Sequence, residues 1–331
     1  MNFRPRVRQE PVEEIGLRPK RRRRRLRTIA MLPALLTLGN LFFGFLAIYC
    51  CGLEMRDLGA KVDASAVLTL HSARIEAIAP TYLAVGAIML LMAMICDALD
   101  GRVARLTGQA SRFGEQLDSL ADAVSFGVAP ALLMVTMMRR EVAQWGHVPF
   151  GYERFGQAVV LIGAVYVLCT ALRLARFNVE ATMEDAAHHG FRGLPSPGAA
   201  AAVVSIVFLH EHLDLGDKWV RTAAAITHLL PICTLAVALL MVSRIPYVHA
   251  LNALLRRRPF GHVVLVLMVF VLFLLYPSQM AVILAWVFVA HGPALKLWRR
   301  LVGRPVEVAV GMGTPEMSVD PQIHPAERKA Q

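Results

Sequence analysis

Residues 90–127 read LLMAMICDALDGRVARLTGQASRFGEQLDSLADAVSFG, two segments that carry paired aspartates on either side of a short link. Asp97 and Asp100 are i, i+3, and Asp118 and Asp122 are i, i+4, so each pair lies on one face of an α-helix. Because a short link makes the two helices neighbours, we expect the four carboxylates to converge on one small volume. Any account of this chain has to explain that convergence.

The composition of the 331-residue chain is typical of a membrane protein: 56% of the residues are hydrophobic and 18% are charged. Soluble domains average about 45–50% and ~25% respectively. We therefore assign the net charge of +11 to membrane topology and to contact with anionic lipids, not to nucleic acid. The composition also excludes a disordered or disulfide-stapled chain, and the five cysteines are interpreted as buried apolar residues.

Apolar segments of near-spanning length predict eight membrane helices, since a span needs about 17–25 residues. They are placed at residues 29–52, 81–106, 116–138, 156–176, 195–211, 221–243, 259–276 and 279–295. Lys and Arg concentrate in the N-terminal tail and in the loops on the same side, which predicts cytoplasmic N- and C-termini. After the basic run at residues 21–25 there is no clear cleavage site, so we expect the first apolar segment to be retained.

The acidic cluster predicts a divalent-metal site that binds phosphate. Four carboxylates near a membrane interface repel one another unless a cation neutralises them. Mg²⁺ and Mn²⁺ prefer oxygen ligands and often lie between carboxylates and substrate phosphate. Two such ions can clamp a phosphoryl group during displacement. Solvated interfacial charge is the alternative explanation for any one of the aspartates.

Small residues beside the aspartates leave room for a ligand to approach the helices. Gly101, Ala104 and Gly114 have this position, and Arg105 offers a planar set of donors suited to phosphate. Close helix packing is the alternative explanation for the glycines.

The complete pattern resembles the signature of the CDP-alcohol phosphatidyltransferase family at every fixed position. In this chain it reads Asp97-x2-Asp100-Gly101-x2-Ala104-Arg105-x8-Gly114-x3-Asp118-x3-Asp122. The resemblance implies an all-α integral membrane enzyme with a six-helix core, usually a homodimer, to which the last two helices are an addition. It implies that an alcohol hydroxyl attacks the lipid-bearing phosphate of a CDP-linked donor and that CMP leaves.

The resemblance also assigns roles within the pattern. Asp97, Asp100 and Asp118 are expected to bind Mg²⁺ or Mn²⁺, and Asp122 is expected to be a metal ligand or the general base. The residues expected to contact the cytidine diphosphate group are Gly101, Ala104, Arg105 and Gly114.

Three further stretches are similar to the bacterial branch of this family that uses CDP-diacylglycerol and L-serine. They are residues 32–48 (LPALLTLGNLFFGFLAI), 171–178 (ALRLARFN) and 191–200 (FRGLPSPGAA). Ala34 is a departure, since related first helices often carry Asn there. Glycerol 3-phosphate and inositol or its phosphate remain alternative acceptors, and an ion-coupled transporter is an alternative of another class.

Polar residues in these stretches are candidates for substrate contacts. Arg173 and Arg176, on one face of the fourth helix, could bind the serine carboxylate or a donor phosphate, with topogenic charge as the alternative. Thr37 and Asn40 could face the nucleotide, with hydrogen bonds between helices as the alternative. Ser196, between two prolines at a helix start, could contact serine.

The remaining expectations concern organisation and location. Residues 1–28 are predicted to be a basic cytoplasmic tail, 29–245 the catalytic membrane domain, 246–303 an added helix pair and 304–331 a disordered tail. The chain is expected in the inner (plasma) membrane, crossing it several times, with the active site on the cytoplasmic side. His188, His189 and His210 are interpreted as loop residues away from the site.

Overall fold

A computed structural model describes residues 27–59, 81–107, 112–142, 151–182, 193–214, 220–245, 247 and 259–302. The predicted terminal tails therefore lie almost entirely outside the described residues, as do His188 and His189. The side chain of Arg105 also lies outside them, although its backbone is helical.

Eight helices make up the described part of the chain, and no strand occurs within it. The third helix, α3, consists of the α-helical segments Arg112–Asp122 and Ala129–Val142 joined by a π-helical segment, Ala123–Val128. The others are α1 (Arg27–Gly59), α2 (Tyr82–Thr107), α4 (Tyr152–Thr182), α5 (Ser196–Asp214), α6 (Val220–Val242), α7 (Pro259–Leu275) and α8 (Pro277–Leu301).

Five of these helices are long and apolar enough to cross a membrane, by length and composition. The five segments are Leu32–Arg56, Tyr82–Ala104, Phe113–Val142, Tyr152–Val179 and Pro277–Trp298. The predicted all-α, multi-pass membrane architecture is therefore confirmed, whereas the division into six core helices and two added ones stays a prediction. Each predicted segment coincides with one helix, and the main differences lie at the ends.

The acidic helix α3 differs most from its prediction, which was one regular helix over residues 116–138. It is longer at both ends, and it widens into the π-helical segment immediately after Asp122. The Phe126 carbonyl in this segment accepts a hydrogen bond from the Tyr166 hydroxyl of α4, at 3.1 Å. Such π-helical turns are frequent at functional sites. Sequence periodicity does not reveal this one, because it accompanies a contact with a distant helix.

A glycine allows α1 to approach α3 closely at this level. A Cβ atom at Gly44 would lie 2.2 Å from Ser125 Oγ and 2.9 Å from Ser125 Cα. Small residues at such crossings are a common feature of helix packing in membranes. The close approach places the polar side chains of α1 beside the acidic residues of α3.

A second polar cluster occupies the opposite end of the helices, around Arg140 of α3. Its guanidinium contacts Glu211 of α5, and its Nη1 lies 3.4 Å from Glu54 Oε1 of α1. Arg140 Nε lies 3.2 Å from Oε1 of its neighbour Glu141. At about 1.5 Å per residue, this cluster lies roughly 30 Å along α3 from Asp118.

His210 belongs to this second cluster, so its interpretation as a loop residue was wrong. Its Nε2 lies 3.6 Å from Glu141 Oε2 and its Nδ1 lies 3.4 Å from Glu211 Oε1. The imidazole lies within α5, inside the predicted segment 195–211, and is buried between Glu141 and Glu211. His210 therefore joins α5 to the end of α3.

Candidate active site

Three of the four aspartates come together in the structure. One carboxylate oxygen from each of Asp97, Asp100 and Asp118 lies within 4.8 Å of the others. Asp97 and Asp100 project from the last turns of α2, and Asp118 projects from the first half of α3. The Asp100 side chain is buried, and the other two are half-buried. Helical phasing and a short connection suffice to produce this geometry.

Asp122 lies one turn deeper along α3 and is set apart from that group. It is buried, and it is close enough to Asp97 and Asp118 to repel both carboxylates. Its Oδ1 accepts a hydrogen bond from Asn40 Nδ2 at 3.3 Å. The fourth aspartate therefore has a hydrogen-bond donor from α1 and the positive charge of Arg173 nearby.

Helix α1 supplies one hydrogen-bond donor to each acidic helix. The Thr37 hydroxyl lies 3.0 Å from Asp100 Oδ2, and Asn40 donates to Asp122. The Asn40 carbonyl also accepts a hydrogen bond from Ser125 Oγ of α3, at 3.0 Å. These contacts agree with the alternative that Thr37 and Asn40 bond between helices. Both side chains therefore line the site.

The donor set of this site fits a divalent cation. Asp118 Oδ1 is buried without a hydrogen-bond partner among the described residues, and the same holds for Asn40 Oδ1. A buried carboxylate oxygen without a donor is costly, whereas a cation among three carboxylates would satisfy it. All the grouped atoms are carboxylate oxygens, which are the ligands that Mg²⁺ and Mn²⁺ prefer.

Open space lies beside Gly101, the residue that follows Asp100. Among the described residues, a Cβ atom placed there would meet no atom within 4 Å, so packing against another described helix does not explain this glycine. The absence of a side chain instead leaves α2 accessible next to the carboxylates. Ala104 and Gly114 are partly buried nearby in sequence, and the predicted contact from Arg105 involves a side chain outside the described residues.

Arg173 of α4 is a basic residue that the structure brings to the acidic group. It interacts electrostatically with Asp122 and Asp97, and its Nη1 donates a hydrogen bond to Ser196 Oγ. Ser196 is fully buried at the first turn of α5. Arg176 lies one turn further along α4 and is partly exposed. The two arginines, which the sequence made equivalent candidates, thus occupy different environments.

The backbone before Ser196 is anchored to the end of α6. Gly193 has φ +91°, and its N–H donates to the Ile245 carbonyl at 2.8 Å. The Leu194 N–H donates to the Leu240 carbonyl at 3.1 Å. A Cβ atom at Gly193 would lie 2.3 Å from the Met241 carbonyl oxygen, so only glycine fits this turn.

Sequence reasoning did not single out two polar residues that meet at the site. Ser119, between the two aspartates of α3, lies with its hydroxyl 3.1 Å from Asn178 Oδ1 of α4. Both residues lie within sequence stretches that were already identified as candidates, and this location is the signal that could have pointed to them. Periodicity could not pair them, because they are 59 positions apart.

The region of the chain that contains this site matches a known protein family. The model of the CDP-alcohol phosphatidyltransferase family matches residues 30–240, which include every aspartate described above. A CDP-diacylglycerol–serine O-phosphatidyltransferase of Mycobacterium leprae is 38% identical over 161 residues, which is 48% of this chain and 47% of that protein.

Two further relatives also match this chain over about half of their own length. A CDP-diacylglycerol–serine O-phosphatidyltransferase of Helicobacter pylori J99 is 42% identical over 121 residues, 37% of this chain and 45% of that protein. An archaetidylserine synthase of Methanothermobacter thermautotrophicus is 35% identical over 162 residues, 48% of this chain and 56% of that protein. The chain thus spans about half the length of the curated relatives it matches.

Proposed function

Because this chain belongs to the CDP-alcohol phosphatidyltransferase family, we propose that it transfers the phosphatidyl group of CDP-diacylglycerol to the hydroxyl of L-serine. The products are phosphatidylserine and CMP. The observation that carries the proposal is the group of three carboxylates, which lies within the matched region. The choice of serine is supported by the names of the relatives and by the ALRLARFN and FRGLPSPGAA stretches.

Asp97, Asp100 and Asp118 hold Mg²⁺ or Mn²⁺ in this proposal, with Asp122 as a further ligand or as the base. When bound, the cation neutralises phosphate charge and makes the phosphorus easier to attack. Thr37 orients Asp100 through its hydrogen bond. Asn40 orients Asp122 in the same way.

Asp122 accepts the proton of the acceptor hydroxyl. Asn40 bonds to its Oδ1, so we assign the proton to Oδ2. The hydroxyl oxygen then forms a bond to the phosphorus that carries diacylglycerol, and the bond from that phosphorus to the bridging oxygen breaks. The electron pair leaves with CMP. The four aspartates would therefore supply both the ligands for a phosphate-binding cation and the acceptor of the proton.

Substrate binding uses the two sides of the acidic group. The open surface at Gly101, continued by Ala104, Arg105 and Gly114, receives the cytidine diphosphate group. Arg173, whose charge balances the nearby carboxylates, binds the serine carboxylate or a donor phosphate. In the same region Arg176 adds positive charge, and Ser196 fixes Arg173.

The proposed setting is the inner (plasma) membrane, with the active site and both termini in the cytoplasm. Residues 29–245 form the catalytic domain and 246–303 an added helix pair. The basic N-terminal tail attracts anionic lipids, and the protein is a homodimer. The concentration of Lys and Arg on one side of the predicted membrane supports this orientation.

A purified-enzyme assay tests the proposal. The full chain is incubated in mixed micelles with CDP-diacylglycerol, Mn²⁺ or Mg²⁺, and one acceptor at a time, and CMP release is followed. L-serine should support far faster release than glycerol 3-phosphate, inositol or inositol phosphate, and labelled serine should enter the lipid fraction. Preference for another alcohol would refute the serine assignment. No CMP release with any alcohol would refute the transferase proposal.

A further inference from the structure

Helix α8 lies outside the region matched by the family, yet it packs directly on α5. The contact is closest at Gly198, two residues after Ser196. A Cβ atom at Gly198 would lie 2.6 Å from Cε1 of Phe288 and 3.2 Å from its Cδ1. The Phe288 ring therefore rests on the α5 backbone, at the helix end that faces the site.

Tyr247 connects the same part of α8 to the turn that precedes Ser196. Its hydroxyl donates to the Val289 carbonyl at 3.0 Å, and its ring lies 6.0 Å from the Phe288 ring. Gly292 of α8 also lies against this ring, since a Cβ atom there would be 2.5 Å from Tyr247 Cζ. Two positions earlier, the Ile245 carbonyl accepts the hydrogen bond from Gly193.

Residues 193–198 are thus held from two sides. The end of α6 fixes Gly193 and Leu194 by backbone hydrogen bonds, and Phe288 covers Gly198. Ser196 lies between these contacts and bonds to Arg173, whose charge lies beside Asp97 and Asp122. A continuous series of packed groups therefore runs from α8 to the acidic site.

We propose that α8 is a positioning element for the acceptor side of the site, acting through Phe288 and Tyr247. These side chains keep residues 193–198 in place, so that Ser196 holds Arg173. Of the two ligands proposed for Arg173, we assign it the acceptor carboxylate and not a donor phosphate. The inference rests on the proposed function for the identity of that acceptor. Neither residue touches a substrate. Their removal should therefore change acceptor binding while leaving the donor side of the site intact.

Phe288→Ala is the principal test, with Val287→Ala as the matched control. Val287 is the adjacent α8 residue and is 64% exposed, away from α5. Networks of packed residues typically change a remote affinity by about 2- to 30-fold. We expect Phe288→Ala to raise KM for L-serine about 3- to 30-fold, with KM for CDP-diacylglycerol unchanged. Val287→Ala should change neither, and an unchanged serine KM in Phe288→Ala would overturn the inference.

Gly198→Ala tests the contact from its other side. The added methyl group collides with the Phe288 ring, so we expect a raised serine KM. In the double variant Gly198→Ala/Phe288→Ala the methyl group occupies space vacated by the ring. Its serine KM should therefore be closer to wild type than that of either single variant. Effects that multiply independently would show that the two residues are not coupled, contrary to the inference.

Hydrogen exchange separates this inference from the proposed function. In Phe288→Ala, amides of residues 193–200 should exchange faster than in wild type and in Val287→Ala, whatever acceptor the enzyme uses. If Phe288→Ala does not fold, Phe288→Leu takes its place in both measurements. Unchanged exchange in this segment would overturn the positioning role. Failure of serine alone as an acceptor, with faster exchange still present, would refute only the serine assignment.

Discussion

Asp122 differs from the other aspartates in its position, because it lies outside the group of three carboxylates, and an amide from α1 bonds to its Oδ1. A carboxylate held in this way can keep one oxygen for a substrate proton. Asp97, Asp100 and Asp118, by contrast, converge on one another and lie ready to share a cation. These positions separate the proposed base, Asp122, from the three proposed metal ligands.

Asp122→Asn should fold and still bind CDP-diacylglycerol, but lose at least ~100-fold in turnover, since general-base assistance contributes typically ~10²–10⁴-fold. Asp97→Asn should weaken donor and metal binding as well. Donor affinity and CMP release are measured on the same preparations, with the exposed Glu115→Gln on the same helix as control. Near-normal turnover of Asp122→Asn would place the base elsewhere. Loss of donor binding equal to that of Asp97→Asn would make Asp122 mainly a ligand.

Gly101→Val tests whether the open surface beside Asp100 receives the donor. Its side chain would enter space where a Cβ meets no atom of the described part of the chain within 4 Å, so stability should change little. We expect the thermal midpoint in detergent to stay within a few degrees, and KM for CDP-diacylglycerol to rise at least about tenfold, as expected when a bound group is displaced. Unaltered donor KM would mean that the cytidine diphosphate group binds elsewhere.

At the scale of elements, polar contacts join neighbouring helices at both ends of the bundle, and the groups that make these contacts differ between the two ends. At the acidic end, Thr37 and Asn40 of α1 bond to the carboxylates of α2 and α3. At the other end, Arg140 of α3 contacts Glu54 of α1 and Glu211 of α5. Glu211 is fully buried there and also accepts a hydrogen bond from Thr81, which precedes α2. We therefore expect this second cluster to stabilise the bundle and to take no part in the reaction.

Arg140→Met should destabilise the protein by roughly 3–5 kcal/mol, because removing one partner leaves buried carboxylates uncompensated. The neighbouring Arg139 is exposed, so Arg139→Met is the matched control and should cost far less. Thermal midpoints in detergent report the difference. At temperatures where Arg140→Met is folded, its KM for both substrates should equal that of wild type, since the acidic site lies roughly 30 Å away along α3. Equal midpoints for the two variants would contradict this role for Arg140.

At the scale of the whole molecule, the described helices enclose a polar site at one end of an apolar bundle. The exposed apolar side chains of α1 and α4, such as Phe42, Phe45, Leu161 and Leu168, suit a surface in contact with lipid. The proposed donor, which carries two acyl chains, would then remain in the bilayer while its head group reaches the carboxylates. Membrane location and lipid chemistry therefore fit together in one architecture.

Removal of divalent cations should abolish the activity of the whole protein. Excess chelator should stop CMP release, and Mg²⁺ or Mn²⁺ should restore it, because the carboxylates repel one another and the donor phosphates without a cation. Mn²⁺ binding followed by electron paramagnetic resonance supplies a second readout. It should be present in wild type and weakened in Asp118→Asn. Full activity in excess chelator would refute the metal proposal.

The sequence by itself determined the all-α membrane architecture, the approximate helices and the convergence of Asp97, Asp100 and Asp118. These features depend on local composition, helical periodicity and a short connection, all of which are written in consecutive residues. The family resemblance was also confirmed. It could be read from the sequence because all residues of its signature lie close together in the chain. The acceptor contacts stay predictions.

Only the tertiary structure decided how distant residues meet. It showed that Arg173, and not Arg176, contacts Ser196, and that Asn40 bonds to Asp122. It also showed that His210 is buried in the second cluster and that Phe288 packs on Gly198. Each of these contacts joins different helices, or a helix to a turn. Helix rotation, crossing distance and the π-helical segment decide them, and these depend on the packing of many side chains at once. Periodicity within one segment restricts which face a residue occupies, but it does not specify the partner on the facing helix.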